Sequence, residues 1–245
     1  MVETAPRAAP VEPASPAARP EPGPHLGVRH PHLKRGFDLV CATLGIIALA
    51  PAYVLIAAAI KWTSPGPVFY RGLRAGRFNT TFRIFKFRTM VVDAERLGGP
   101  TTAKNDSRVT RVGRFLRRRK LDELPQLFNV LVGDMSIVGP RPEVPEVTAG
   151  YTSEEQLILT VRPGITDLAS LEFVQLDEVV GEHDPYAVYR EKVLPVKNAL
   201  RLKYVREQSF LGDVRLILAT LVRLVRRRPA LAAPAAPDGA PKETA

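Results

Sequence analysis

Phe37-Asp38-Leu39-Val40-Cys41-Ala42-Thr43-Leu44-Gly45-Ile46-Ile47-Ala48-Leu49-Ala50-Pro51-Ala52-Tyr53-Val54-Leu55-Ile56-Ala57-Ala58-Ala59-Ile60 is the stretch on which the fold turns. After Asp38 it carries no charge until Lys61. About 20 apolar residues suffice to cross a bilayer, so the run is long enough. Pro51 sits near its middle, where it removes one helix hydrogen bond. Both flanks are basic, with Lys34 and Arg35 before and Lys61, Arg71 and Arg74 after, so positive charge assigns neither end to the far side. A helix that breaks at Pro51 and returns to the same side satisfies both flanks. This re-entrant reading stands ahead of a spanning helix and of a buried helix in a soluble protein. Backbone groups freed at the break then need partners within the protein.

The chain around this segment has 245 residues, enough for one domain with tails. Residues 1–33 and 229–245 are rich in Pro and Ala, lack periodicity and read as disordered tails. The acidic, Pro-rich start is no signal peptide. His25, His30 and His32 lie in the first tail and read as loose residues rather than a metal site. Cys41 is the single cysteine, so no disulfide framework exists within the chain, and folding in the cytoplasm is natural. A formal net charge of +10 implies an anionic partner: nucleic acid, anionic lipid or a phosphorylated substrate.

Beyond the apolar run, Ser64-Pro65-Gly66-Pro67 is a turn. Val68 to Met90 reads as a hairpin whose loop holds Gly72, Gly76 and Asn79. Strand periodicity puts Lys86 and Arg88 on one face, either as a phosphate-facing pair or as charges protecting a strand edge. Thr110 to Lys120 has helical spacing, with Val112, Phe115, Leu116 and Arg119 on one face and Arg111, Arg114, Arg117 and Arg118 mostly on another. Residues 210–228 repeat the pattern: Val214, Ile217, Leu218, Leu221, Leu224 and Val225 form a stripe, followed by Arg226, Arg227 and Arg228. Next to a membrane segment, both helices suit the lipid interface; the competing reading is a solvated basic face for the first and core packing for the second.

Leu121 to Leu131 carries the chemistry. Leu124, Leu127, Phe128 and Leu131 make an apolar helix face, and Gly133 is a plausible stop. Pro125 belongs in a first helical turn, which places Asp122 and Glu123 at the helix N-terminus. Simple capping explains acidic residues there. The same location also keeps a carboxylate ionised and welcomes phosphate. Downstream, Gly139-Pro140-Arg141-Pro142-Glu143 and Arg162-Pro163-Gly164-Ile165-Thr166 each hold an arginine beside backbone-restricting residues. Guanidinium forks match phosphate oxygens bidentately. Two acids and several preset arginines suggest chemistry on a diphosphate, with a divalent ion to screen it. No phosphate-loop, dinucleotide-fold or zinc spacing is present.

Taken in order, several motifs resemble the bacterial sugar transferase family, the monotopic polyprenyl-phosphate phosphoglycosyltransferases. They are Lys34-Arg35-x-Phe37-Asp38, Ser64-Pro65-Gly66-Pro67-Val68-Phe69, Lys86-Phe87-Arg88-Thr89-Met90, Leu121-Asp122-Glu123-Leu124-Pro125-Gln126-Leu127, Gly133-Asp134-Met135-Ser136 and Val138-Gly139-Pro140-Arg141-Pro142. The resemblance covers roughly residues 34–225. It implies an α+β, mostly helical fold: a re-entrant N-terminal membrane helix over 37–60, a small β-hairpin, and interfacial amphipathic helices around a cytosol-facing catalytic core. The membrane-associated domain then runs from 34 to 228, in the cytoplasmic membrane of a bacterium.

The resemblance further implies that Asp122 attacks the β-phosphorus of a UDP-sugar and releases UMP, and that polyprenyl phosphate takes the phospho-sugar from the aspartate. Glu123 would hold Mg²⁺. Arg117, Arg141 and Arg162 match family arginines near the phosphates; Lys86 and Arg88 belong to the matched strand motif. The implied product initiates an exopolysaccharide or another glycan, and the implied partners are UDP-sugar, polyprenyl phosphate and anionic membrane lipids. A homo-oligomer is compatible with the sequence.

Three positions depart from the usual pattern. Ala50 precedes Pro51 where many members have serine. Asp167 follows Gly164-Ile165-Thr166 where many have glycine. Arg201 precedes Tyr204-Val205 by three residues where many have an acid. Larger relatives carry extra N-terminal spans and a regulatory domain, which are not expected when only a tail precedes Lys34. Two other classes compete: a membrane-tethered nucleic-acid-binding protein and an inactive scaffold for polysaccharide assembly. Aromatics are only 7% and no nucleic-acid module is visible, so nucleic acid is not an expected partner. The intact Asp122-Glu123 pair argues against an inactive scaffold.

Overall fold

The computed structural model describes residues 31–97, 106–172 and 185–226. Of the tails expected at residues 1–33 and 229–245, residues 1–30 and the whole of the second lie outside these, as do Arg227 and Arg228. The first element, α1 (Pro31–Thr63), is a single helix of 33 residues. It starts within the stretch assigned to the tail and includes His32. It is also continuous: the chain does not leave the helix at Pro51, where the sequence predicts a break. A helix can absorb an internal proline at the loss of one hydrogen bond when tertiary packing holds both halves.

That packing runs the length of α1. Near its start, Arg35 donates to the carbonyls of Val130 (2.7 Å) and Leu131 (3.1 Å). Lys34 donates to Val138 O (2.9 Å) and pairs with Asp213. Asp38, buried, accepts from Ser136 Oγ (3.0 Å) and Ile137 N (2.9 Å). Tyr53, farther along, donates to Leu124 O at 2.9 Å, and Ile60 is buried with Phe87 and Leu116. The opposite face is apolar and exposed, with Val40, Leu44, Ile47, Val54 and Leu55 at helical spacing and Trp62 91% exposed. Lys34 and Arg35 are therefore structural anchors, with partners inside the protein, as well as flanking charges.

After the 64–67 turn come β1 (Phe69–Tyr70), β2 (Leu73–Ala75), β3 (Thr81–Arg83) and β4 (Lys86–Phe87). They form the expected hairpin in two tiers, β2 against β3 and β1 against β4, with Tyr70 opposite Lys86. The short α2 (Ala94–Leu97) follows. Next is α3 (Arg111–Arg118), whose N-cap Thr110 accepts from Gly113 N at 2.9 Å. Within α3, Leu116 faces the core. Phe115 is exposed, with the Arg119 guanidinium 5.6 Å from its ring.

A tight 3₁₀ turn, Leu121–Glu123, then leads through Pro125 into α4 (Gln126–Val132). Gly133 ends α4 in the left-handed region (φ 99°), as its position in the sequence predicts. Met135, Val130 and Ala42 share one core with Phe82 and Ile84 of the hairpin, so helix, hairpin and α1 close on each other. An aromatic group of Tyr53, Phe69, Phe85, Phe87 and Phe128 fills the space between them.

Strand β5 (Ser136–Val138) runs parallel to β6 (Gly164–Thr166), with α5 (Pro145–Thr148) between them in sequence. Their ends meet at two glycines. A Cβ on Gly164 would stand 2.0 Å from Gly139 N, closer than any side chain tolerates. Gly164→Ala should therefore cost more than about 2 kcal/mol of stability, read from a melting curve. A melting temperature equal to that of the parent would show that the strands can part without penalty.

The remaining helices are α6 (Leu168–Glu172), α7 (Pro185–Val188), α8 (Leu194–Glu207) and α9 (Phe210–Arg226). The C-terminal stripe is rotated from the sequence expectation. Leu216 and Ile217 pack on Val138, Tyr204 and Val205, while Leu218 and Leu221 are exposed. The rotation follows from Asp213, buried 2% exposed between Lys34 and the Tyr204 hydroxyl, which draws its own side of α9 inward. The exposed side adds Leu211 and Val222 to an apolar surface beside the N-terminal turns of α1, where Phe37 meets Phe210 edge to face.

Candidate active site

Three elements converge on the carboxylate of Glu123. Its own 3₁₀ turn presents it, Lys86 arrives from β4, and Arg141 from the loop after β5. Lys86 Nζ donates to Glu123 Oε1 at 3.1 Å, and the Arg141 guanidinium donates to the same oxygen. Lys120, in the left-handed conformation just before the turn (φ 57°), adds a third positive charge nearby. Burial alone would push the Glu123 carboxyl up, but Arg141, Lys86 and Lys120 outweigh it and hold the group below the usual carboxylate range. Burial in turn lowers Lys86, with Glu123 opposing.

Asp122 stands beside this cluster, 8% exposed. Its Oδ1 is buried and has no hydrogen-bond partner. Burial and then the Glu123 charge raise its carboxyl above the ordinary range, while Lys86, Arg117 and Lys120 pull it back. The sequence places this carboxylate at a helix N-terminus. The structure corrects that: Asp122 lies in the 3₁₀ turn, and α4 begins only at Gln126. Surrounding cations, rather than a helix end, offset part of the penalty that burial and Glu123 place on its charge.

The other expected site residues make no bond to Glu123. Arg117 Nε donates to Thr89 Oγ1 (2.9 Å), close enough to Asp122 to favour its charge. Arg88 is buried and donates to the carbonyls of Ser64 (2.8 Å) and Pro65, closing the turn after α1. Lys86 and Arg88 thus part company, one to the dyad and one to the turn. Arg162 Nε donates to Gly133 O (3.0 Å), near Arg77, rather than to either carboxylate. Lys120 is not among the expected site residues, though adjacency to the dyad could have flagged it. Asp167 stands out in the sequence only as a departure from the family pattern; its contact with the Arg141 loop, where it is 1% exposed and accepts from Arg141 N at 3.0 Å, has no local signal.

Among the described residues no three acidic, histidine or cysteine side chains gather as a metal cluster. Magnesium does not require one: it commonly takes one or two carboxylates, with substrate phosphates and waters completing the shell. Asp122 and Glu123 fit that requirement, since Glu123 is held ionised and the unpartnered Asp122 oxygen is free to accept a cation. The site as a whole offers a buried carboxylate with an open oxygen, a second ionised carboxylate, and an arginine and a lysine both bonded to that second carboxylate. Such an arrangement suits an anionic substrate that exchanges a phosphoryl bond.

Comparison with known proteins agrees with this chemistry. The family model described as bacterial sugar transferase matches residues 29–227. An undecaprenyl-phosphate glucose phosphotransferase of Komagataeibacter xylinus is 41% identical over 202 residues, covering 80% of this chain and 36% of that protein. The exopolysaccharide production protein PSS of Rhizobium leguminosarum bv. phaseoli is 38% identical over 202 residues, covering 80% of this chain and 96% of that protein. A UDP-glucose:undecaprenyl-phosphate glucose-1-phosphate transferase of Escherichia coli K12 is 38% identical over 198 residues, covering 78% of this chain and 40% of that protein. The chain therefore spans well under half the length of the first and third of these, and nearly all of the second.

Proposed function

The chain belongs to the bacterial sugar transferase family, and on that premise we propose that it transfers a sugar-1-phosphate from a UDP-sugar to polyprenyl phosphate. The observation that carries the proposal is the dyad: a buried Asp122 with an open oxygen, next to a Glu123 already engaged by Lys86 and Arg141.

In the first step Asp122 attacks the β-phosphorus. The bond from that phosphorus to the bridging oxygen breaks, UMP leaves with the electron pair, and a sugar-phosphoryl-aspartate remains. In the second step a phosphate oxygen of the lipid attacks the same phosphorus, the acyl phosphate breaks, and Asp122 returns as a carboxylate. Splitting the transfer through a covalent intermediate replaces one hard displacement by two easier ones. Arg141 and Lys86 supply positive charge where the phosphoryl oxygens gather. Magnesium, held by Glu123 and the substrate, would screen the diphosphate. The product would initiate an exopolysaccharide or a related glycan. The charge surplus that left a nucleic-acid partner open is accounted for by these phosphates and by anionic lipid.

We further propose that α1 enters one leaflet and does not cross, with the catalytic unit in the cytoplasm. From Lys34 to Ile60 the helix runs about 39 Å, longer than a hydrocarbon core of about 30 Å. The catalytic unit touches it at both ends and in the middle. Attachment along that whole length supports a helix that does not cross. The exposed apolar faces of α1 and α9 would meet the lipid.

Two experiments test these readings. Purified chain mixed with UDP-sugars, undecaprenyl phosphate and Mg²⁺ should release UMP, and chelation with EDTA should stop it. Absence of UMP across a panel of UDP-sugars would end the transferase reading. For topology, Cys41 is replaced by serine, and single cysteines placed at Glu3 and Asn79 should both resist membrane-impermeant thiol reagents in intact cells. Labelling at position 3 alone would mean a crossing helix.

A further inference from the structure

Pro140 and Pro142 have no N–H, so Arg141 N–H is the only backbone donor in the tripeptide that carries the site arginine. It is taken by Asp167 Oδ2 at 3.0 Å. The other oxygen of Asp167 accepts from Ser170 N at 2.6 Å and caps α6. Asp167 is thus a 1%-exposed carboxylate that ties the Arg141 loop to the end of β6. A charge so deeply buried calls for a counter-charge, and the nearest is Arg201 of α8, itself 1% exposed, with Nε 3.8 Å from Asp167 Oδ2.

Arg201 is in turn held on its other edges. It donates to Glu143 Oε1 (2.7 Å) and Asn198 Oδ1 (3.0 Å), with the Tyr151 hydroxyl at 3.5 Å from the same nitrogen as Asn198. Glu143 lies two residues beyond Arg141 and also accepts from the Tyr189 hydroxyl. Lys197 completes the ring of groups around it, with its ammonium 5.0 Å from the Tyr189 ring centroid. Glu123, Arg141, Asp167, Arg201 and Glu143 therefore form one run of charge-assisted contacts, from the dyad to α8, that grips the Arg141 loop from both sides.

We propose that Asp167 and Arg201 are positioning residues that aim Arg141 at the donor diphosphate. The proposal rests on the transferase reading and names what orients one of its side chains. Arg141 touches Glu123 directly; Asp167 and Arg201 act only through the loop. A guanidinium serves as a fork for phosphate only if its plane and reach are set before the substrate arrives, so loosening the loop should affect donor use and spare acceptor use.

The test is a double-mutant cycle on the full chain, with kcat and KM measured separately for UDP-sugar and undecaprenyl phosphate. Arg141 N and Ser170 N bind different oxygens of Asp167, so Asp167→Asn turns an NH2 donor towards one of these two N–H groups and loses the charge. Arg201→Lys keeps the charge and loses the fork. Each should lower kcat/KM for UDP-sugar by about tenfold, leaving KM for the lipid phosphate unchanged. In an Arg141→Lys background neither should cause a further loss. The same fold-loss in both backgrounds, or equal losses toward both substrates, would assign the pair a merely structural role and overturn the proposal. Melting curves identify any variant that does not fold; the two substitutions touch opposite partners, so either alone completes a cycle with Arg141→Lys. A parent chain that releases no UMP would instead sink the transferase reading, an outcome distinct from a parent that turns over while the losses simply multiply.

Discussion

Asp122→Asn is expected to abolish both UMP release and adduct formation. With Mg²⁺ and UDP-sugar but no polyprenyl phosphate, the parent should yield at most one equivalent of UMP per chain and a mass increase on the peptide containing Asp122. The amide is no comparable nucleophile, and turnover should fall by more than about 10³-fold. The fold should survive, because Asp122 Oδ1 has no partner to lose. Glu123→Gln should weaken both signals without erasing them. It removes the charge that Lys86 and Arg141 share, leaving two cations facing a neutral amide. Ping-pong kinetics should accompany the adduct. Substantial turnover by Asp122→Asn, or kinetics requiring both substrates before UMP leaves, would favour direct attack by the lipid phosphate and demote Asp122 to a cation ligand.

Arg141→Lys is expected to reduce transfer by about 10²-fold, the scale of losing one preorganised donor at a developing charge. Lysine keeps the positive charge but brings a point donor in place of a planar fork. The backbone N–H that binds Asp167 remains, so the loop should stay in place and the loss should fall on chemistry rather than stability. A melting temperature near that of the parent together with the lost rate would separate the two. Near-normal turnover would remove Arg141 from the site.

Much of this architecture is legible in the sequence because its signals are local. Pro125 and Gly133 bracket α4, the hairpin follows from alternation and glycine placement, and adjacency alone delivers Asp122 and Glu123 as a dyad. Other signals are ambiguous because one residue type serves two purposes. Arginine next to proline reads as a preset phosphate ligand at both 141 and 162. The structure brings only Arg141 to Glu123 and ties Arg162 to a backbone carbonyl. Lys86 and Arg88 share a strand period, yet one meets a carboxylate and the other closes a turn. A guanidinium takes whichever acceptor the fold puts in reach, and carbonyls at turns and helix ends are as available as phosphates.

The sequence by itself determined a basic chain with one long apolar segment, a hairpin, amphipathic helices and an acidic pair set among arginines. Hydrophobic period, proline and glycine placement and charge are properties of neighbouring residues, and they can be read without knowing what lies across the fold. Tertiary structure alone decided that α1 runs unbroken through Pro51, because contacts at Lys34, Tyr53 and Ile60 hold both halves to one unit. It also decided that α9 turns on Asp213, and that Asp167 and Arg201 meet although 34 residues separate them. Buried charges are paired across long sequence distances, since each needs an opposite charge wherever the packed chain can supply one. No local pattern carries that information.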